Sequence, residues 1–296
     1  MNKIGQYVNG NTIVVIYDDG TKERYFRDGD KAVSDFPESI DLKITNRCNM
    51  GCPMCAECST PRGDHANLHS SILDSIHPYT ELAIGGGNPL EHPGLVPFLQ
   101  KMRDQKVICN MTVNANHFLE NDHFLRVLVE EKLIYGIGVS LPEDIPDRTT
   151  FFREIEKFPN LVVHTIAGFT PLQTYKALEK QGVNLLILGF KQKGYGKYFI
   201  NEAEARIKNR EKLLRMWMEH MPFKSIAFDN LAVEQFKIKE WMPEEEYNKL
   251  YMGDDGDHTM YIDLVNMQYG KSSTHELHPI GSDDASVEEL FKKLKE

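Results

Sequence analysis

Asp41-Leu-Lys-Ile-Thr-Asn-Arg-Cys48-Asn-Met-Gly-Cys52-Pro-Met-Cys55 is the stretch on which the reading turns. An apolar run, Ile40 to Thr45, has the composition of a strand and leads directly into three cysteines spaced C-x3-C-x2-C. Soft thiolates this close together point to a metal site. Three of them are enough to hold three irons of a cubane 4Fe-4S cluster and leave the fourth iron open to a small molecule. An open iron implies chemistry, whereas four cysteines usually make an electron carrier. Gly51 and Pro53 suit a turn, and such a loop leaves backbone N–H groups free to bond the sulfides.

A second stretch, Glu81-Leu-Ala-Ile-Gly-Gly-Gly-Asn-Pro89, reads as another strand ending in a glycine turn, with Leu82 and Ile84 expected to face the layers of a barrel. Together the two stretches resemble the radical S-adenosylmethionine superfamily, over about residues 38 to 190. Met54 stands where the family often has an aromatic residue, and Asn88 where it commonly has an acid. The resemblance implies Cys48, Cys52 and Cys55 as cluster ligands, with the open iron chelating the amino and carboxylate groups of S-adenosylmethionine. It places Gly85, Gly86, Gly87 and Asn88 at the methionine end, Ser140 at the ribose, and Leu188 with Gly189 beside the adenine. Asn114 and Asn116 at the end of the third strand are further cofactor contacts. His164 either points inward to the cofactor or is a hydrogen-bonded core histidine. The implied chemistry is reductive cleavage to a 5'-deoxyadenosyl radical that removes hydrogen from a substrate. A flavodoxin or ferredoxin would donate the electron.

Two other readings of the cysteines stay open. A structural zinc site would use Cys58 as a fourth ligand, but all four would lie within eleven residues, without two separated pairs. A closed four-cysteine cluster is near the ferredoxin spacing without matching it. Cys58 is otherwise spare, or a thiol near the substrate, and Cys109 within an apolar strand reads as a small core residue.

The 296 residues can bury a substantial core, and 41% hydrophobic with 26% charged residues is an ordinary globular balance. The net charge of -10, from 44 acidic against 34 basic residues, argues against extended nucleic-acid binding. No apolar stretch reaches the roughly 20 residues that span a bilayer, and the start lacks a signal-peptide core, so no membrane partner and a cytoplasmic location are expected. Cysteines clustered between 48 and 58 do not form a disulfide framework, and an open cluster favours a reducing compartment.

Thr12–Tyr17 and Thr21–Phe26 around Asp18-Asp19-Gly20 read as a hairpin outside the main fold, joined by a polar connection. Strand-like runs then recur at Ile40–Thr45, Leu82–Ile84, Val107–Val113, Ile134–Val139, Leu161–Ala167 and Asn184–Leu188. Helix-compatible segments, Leu95–Arg103, Phe118–Glu130, Thr149–Lys157 and Leu172–Lys180, separate most of them, which argues for parallel strands with crossovers. A doubly wound sheet fits this periodicity almost as well; the cysteine loop selects a partial (β/α)6 TIM-like barrel. The expected organisation is a β-hairpin and linker (1–37), a partial-barrel core (38–200) and a small α+β extension (201–296). The extension contains a long helix from Glu202 to Met221, strands at Ser225–Asp229 and Met260–Val265, and a capping box at Ser286–Glu289. No second cysteine cluster accompanies the first.

Substrate candidates lie after the later strands. Lys191, Lys193, Tyr195 and Lys197 form a basic, glycine-punctuated loop that either holds an anion or is simply solvated. Asp229 and Asn230 end a strand where a substrate would be met, and Asp263 reads as structural. The compact chain favours a nucleoside-like or other small molecule, with a peptide as the alternative. A non-catalytic iron–sulfur or zinc-binding interaction protein is the rival of another class.

Overall fold

The computed structural model describes residues 2–18, 20–27, 31–281 and 285–296. Asp19 of the expected hairpin turn and residues 28–30 of the connection lie outside them. The fold is mixed α/β with a large, mainly parallel sheet.

The first three strands are β1 (Lys3–Asn9), β2 (Thr12–Tyr17) and β3 (Lys22–Phe26), which form a separate antiparallel sheet. The hairpin therefore gains a third strand. Lys3–Asn9 is too polar to announce itself, because only Gly5, Tyr7 and Asn9 are buried.

The main sheet contains β4 (Ser39–Thr45), β5 (Glu81–Gly86), β6 (Ile108–Asn114), β7 (Gly136–Ser140), β8 (Leu161–Ile166), β9 (Asn184–Leu188), β10 (Ser225–Phe228), β11 (Thr259–Asp263), β12 (Gln268–Gly270) and β13 (His278–Pro279). Its order is β10-β9-β8-β7-β6-β5-β4-β11-β12-β13. Every pair from β10 to β11 is parallel, and among the described residues the pairs β11–β12 and β12–β13 are antiparallel. The order from β4 to β10 never reverses, which excludes the doubly wound alternative, since that fold requires a switch point.

The helices are α1 (Leu95–Asp104), α2 (Ala115–Glu120), α3 (Asp122–Glu130), α4 (Arg148–Ile155), α5 (Leu172–Leu178), α6 (Ile200–His220), α7 (Asn230–Gln235), α8 (Glu244–Leu250) and α9 (Val287–Lys293). The single helix expected over Phe118–Glu130 is broken at Asn121, whose φ of -127° leaves the helical range. The capping box at Ser286 and Glu289 is formed.

With an unreversed order, right-handed crossovers put the helices on one face of the sheet. That face is apolar: Ile40, Leu42, Ile44, Leu82 and Ile84 pack with Leu95, Phe98 and Leu99 of α1. Leu82 and Ile84 thus face the helices rather than the interior. The other face carries Asp41, Lys43, Ala83, Gly85, Asn110, Thr112 and their neighbours, at alternate positions. A parallel sheet is normally covered on both faces, and here side-chain contacts reach across the second face. Lys191, just after β9, donates to Ser273 Oγ at 2.7 Å, and Asn230 after β10 donates to Asp255 Oδ1 before β11 at 2.7 Å. These contacts join elements from opposite sides of the sheet, while the ladder itself stays open between β10 and β13.

The small sheet covers the N-terminal ends of the main strands. Lys22 pairs with Glu81 at 2.8 Å, Arg24 with Glu38 at 2.7 Å, and Asn160 donates to the Asp18 carbonyl. The cysteine loop lies at the opposite, C-terminal end.

Candidate functional site

The segment between β4 and β5 is held as a loop by its backbone. Cys48 N–H donates to Thr60 O at 3.0 Å, Thr60 N–H to Asn46 O at 3.1 Å, and Asn46 N–H to Asp64 O at 2.8 Å. The glycine turn after β5 is stitched to its stem: Gly87 N–H donates to Thr45 O and Asn88 N–H to Arg47 O, both at 2.7 Å. The glycines divide their work. A Cβ at Gly87 would lie 2.2 Å from Arg47 O, and one at Gly86, where φ is +108°, 2.4 Å from Thr45 O. A Cβ at Gly85 would meet nothing within 4 Å.

Gly85 opens into a cavity of about 290 Å³ at the C-terminal ends of the strands. Cys48, Cys52 and Cys55 line it together with Gly85, Gly86, Gly87, Asn114, Ser140, Leu188 and Lys191. Residues from five separate stretches of the sequence thus converge on one space. Others named above do not line it. Asn88 is buried, with its side chain accepting from Leu90 N–H and donating to Glu91. Cys58 is exposed, and Lys193 and Asp229 lie outside the lining. His164 lines a second cavity of about 640 Å³, floored by Ile4, Ile16 and Tyr17. Its ring lies over Gly138, its Nδ1 has no partner among the described residues, and burial pulls its pKa down to about 4.

The cysteines are free thiols. Burial raises the Cys48 thiol, with Cys55 and Glu91 adding to the rise against a bond from the Met50 N–H. Cys52 is pushed up to about 11, by burial first and then by Cys55 and Cys48. With their pKa values raised, Cys48 and Cys52 need a strong positive centre to become thiolates, which is what iron supplies. No group of three or more His, Cys, Asp or Glu among the described residues is arranged to hold a single metal ion. The donor set fits a thiolate-bound cluster: three soft ligands on one loop face a common space.

Several contributors escaped the sequence reading. Glu57, between Cys55 and Cys58, pairs with Lys43 at 2.8 Å and Lys193 at 3.2 Å, and Lys43 also meets Asp263 at 3.0 Å. Burial alone lowers the Lys43 pKa, but Glu57 and Asp263 more than reverse it, so it is raised. His117 in α2 shares a 2.6 Å hydrogen bond between Nε2 and Asn49 Oδ1 in the cysteine loop. Burial lowers its pKa, so the ring is neutral near pH 7 and Nε2–H donates. Asn116 Nδ2 reaches Met50 Sδ at 3.9 Å beside it. Asn116 was already read from the sequence, and a further polar residue beside it, just after a strand's C-terminal end, was the available signal for His117.

No protein-family model and no curated protein matches the chain by sequence. Solved structures do match in fold. Streptococcus suis SuiB bound to S-adenosylmethionine superposes with a TM-score of 0.56 and 12% identity, over 83% of this chain and 64% of that one. SuiB bound to precursor peptide SuiA superposes with a TM-score of 0.55 and 10% identity, over 89% and 66%. The chain thus spans about two thirds of the length of SuiB.

Proposed function

We propose that this chain is a radical S-adenosylmethionine enzyme built on a partial barrel, with Cys48, Cys52 and Cys55 holding a 4Fe-4S cluster. The observation that carries the reading is the convergence of three cysteines and three glycines on one cavity at the C-terminal ends of parallel strands. The fold likeness to SuiB, one structure of which holds S-adenosylmethionine, supports it. When bound, the cluster supplies an electron that cleaves the cofactor's sulfonium bond and yields a 5'-deoxyadenosyl radical; a flavodoxin or ferredoxin is the proposed donor.

The chain's own residues do the rest. Gly85 leaves room for the methionine end, and Asn114 and Ser140 present polar groups at the strand ends where the ribose would lie. Leu188 gives the adenine an apolar border, and Ile166 and Phe190 with Met54 keep water from the reacting region. His117 holds Asn49, and Glu57 ties the far side of the loop to Lys43 and Lys193.

For the substrate, a peptide is favoured over the nucleoside-like small molecule that the compact chain first pointed to. The specific support is that SuiB, similar in fold, is bound to a precursor peptide. The test is anaerobic reconstitution followed by chromatography of 5'-deoxyadenosine formed from S-adenosylmethionine and dithionite, beside Cys52→Ala. Product in the native chain and none in the variant is expected. About one zinc and no iron in the purified protein would overturn the assignment.

A further inference from the structure

The inner face of the sheet carries two charged layers. Strand register sets Asp263, Lys43 and Gly85 side by side, and Tyr261, Asp41 and Ala83 side by side one layer deeper. Both layers face inward, because Ile40, Leu42, Met260 and Ile262 occupy the alternate, helix-facing positions. The upper layer is complete, with Lys43 neutralised by Glu57 and Asp263.

The deeper layer is not. Tyr261 is only 5% exposed, and its phenol has no hydrogen bond among the described residues. Asp41 is exposed to the interior space, with no hydrogen bond or ion pair from its carboxylate among the described residues. Neighbouring protein raises the Asp41 pKa, Lys191 opposes the rise, and Asp255 and Asp229 reinforce it.

The other charges there are engaged. Lys191 donates to Ser273, and Lys193 pairs with Glu57 and lies 5.8 Å from the Tyr261 ring centre. Asp229 accepts from Gly189 N–H and Ala232 N–H, and Asp255 accepts from Asn230. The carboxylates Asp41, Glu57, Asp229, Asp255 and Asp263 outnumber Lys43, Lys191 and Lys193. That balance disfavours an anion. An unpaired carboxylate beside an unpaired phenol on adjacent strands offers two acceptors to a multivalent donor.

We infer that Asp41 and Tyr261 form the recognition site for a positively charged group of the substrate, a primary ammonium or guanidinium, one layer below the cofactor cavity. This deepens the radical reading, on which the word substrate rests. Two of the ammonium hydrogens would go to Asp41 and Tyr261 Oη, and the carbon beside the nitrogen would then extend upward past Lys43 toward Gly85. Such a cation comes either as a free alkylamine or as a lysine or arginine side chain of a peptide.

Ligand-observed NMR titration of the full, cluster-loaded chain tests this with three probes: pentylammonium, acetyl-Gly-Lys-Gly amide, and the same peptide with neutral norleucine in place of lysine. The lysine peptide is expected to bind at least about tenfold more tightly than the norleucine peptide. Asp41→Asn should erase that preference, and the milder Tyr261→Phe should reduce it about threefold, which keeps the test alive if the first variant misfolds. Pentylammonium binding as well as the lysine peptide assigns a free amine; binding by the peptide alone assigns a peptide side chain. Equal affinity for the two peptides, or a preference untouched in both variants, overturns the proposal. Iron, sulfide and 5'-deoxyadenosine measured on the same preparation report separately on the radical reading, because the binding assay needs neither turnover nor the true substrate.

Discussion

Adding one methyl group at Gly85 and the same methyl at Gly87 separates the two tasks of the glycine turn. At Gly87 the new Cβ would lie 2.2 Å from Arg47 O, which is 0.8 Å inside the 3.0 Å that real Cβ contacts respect (3.0 − 2.2). The obstacle is backbone, so the turn and the cysteine stem must part. That strains the bonds Gly87 N–H to Thr45 O and Asn88 N–H to Arg47 O. Two weakened hydrogen bonds at about 1 kcal/mol each, with about 1–3 kcal/mol of overpacking, give a loss of roughly 3–5 kcal/mol. In a chain of this size that lowers the melting temperature by roughly 10 °C. At Gly85 the Cβ meets nothing within 4 Å and φ is not left-handed, so the metal-free protein should keep or gain about 0.5 kcal/mol. The same methyl projects into the cavity, and S-adenosylmethionine should bind at least about tenfold more weakly, ~1.4 kcal/mol. Thermal unfolding of metal-free Gly85→Ala and Gly87→Ala, and equilibrium dialysis of S-adenosylmethionine with the reconstituted proteins, measure both effects. Equal destabilisation by the two variants, or full affinity in Gly85→Ala, would refute the division of labour.

Further outcomes follow from individual contacts. Cys48→Ala, Cys52→Ala and Cys55→Ala should each reduce reconstituted iron and sulfide to background while Cys58→Ala retains them, as read by colorimetric assay; retention in any of the first three removes that ligand. Unfolded His164 takes a proton near pH 6.5 but the folded residue only near about 4. The unfolded state therefore holds more protons between these values, and stability falls as pH falls through that window, by up to about 3 kcal/mol. Urea unfolding at stepped pH should show this acid slope flattened in His164→Asn, and an unchanged slope counts against a neutral buried ring. His117→Phe removes the donor to Asn49 and should move the cluster reduction potential by about 30 mV, the scale of a net hydrogen bond of ~0.7 kcal/mol, whereas His117→Gln restores it. Potentiometric titration followed by electron paramagnetic resonance decides, and identical potentials in all three proteins exclude a positioning role.

The sequence was legible where hydrophobic period and chemistry coincide. Ile40, Leu42 and Ile44 alternate with Asp41, Lys43 and Thr45, and that alternation marks a strand with one apolar face whatever surrounds it. The periodicity of the next five strands likewise follows from their helix-facing residues. Lys3–Asn9 was hidden because its partner strand supplies most of the apolar surface. The ends of the sheet were hidden for another reason. Ser225–Phe228 and Thr259–Asp263 looked like parts of an appendage, yet they pair with β9 and β4, contacts of long sequence separation that no local pattern encodes. At the site, spacing announced the cysteines and glycines because their function is local. Glu57, Lys43 and Asp263 matter only through each other, and three charges from three elements leave no local mark.

That trio couples the cysteine loop to the strand beneath it. A lysine on the inner face of a parallel sheet is costly to bury, and Lys43 is tolerated because Asp263 comes from β11 and Glu57 from the loop itself. The loop that carries the thiols is thus also the counter-charge for β4, and neither is well placed without the other. Glu57→Gln leaves every thiol in place but takes away a charge partner of both Lys43 and Lys193. The expected loss is about 3 kcal/mol, the usual scale for leaving a buried charge half-paired. Adding Lys43→Met should recover part of it, since an apolar side chain of similar length needs no partner. Two measurements on metal-free protein distinguish coupling from ordinary destabilisation: the melting temperature, and amide hydrogen exchange within residues 46–58. Coupling requires that exchange in the loop accelerate by more than the global stability loss explains, and that the double variant slow it again. If the loop exchanges only as fast as the global loss predicts, Glu57 is a surface anchor and the loop owes its shape to the backbone bonds at Thr60, Asn46 and Asp64 alone.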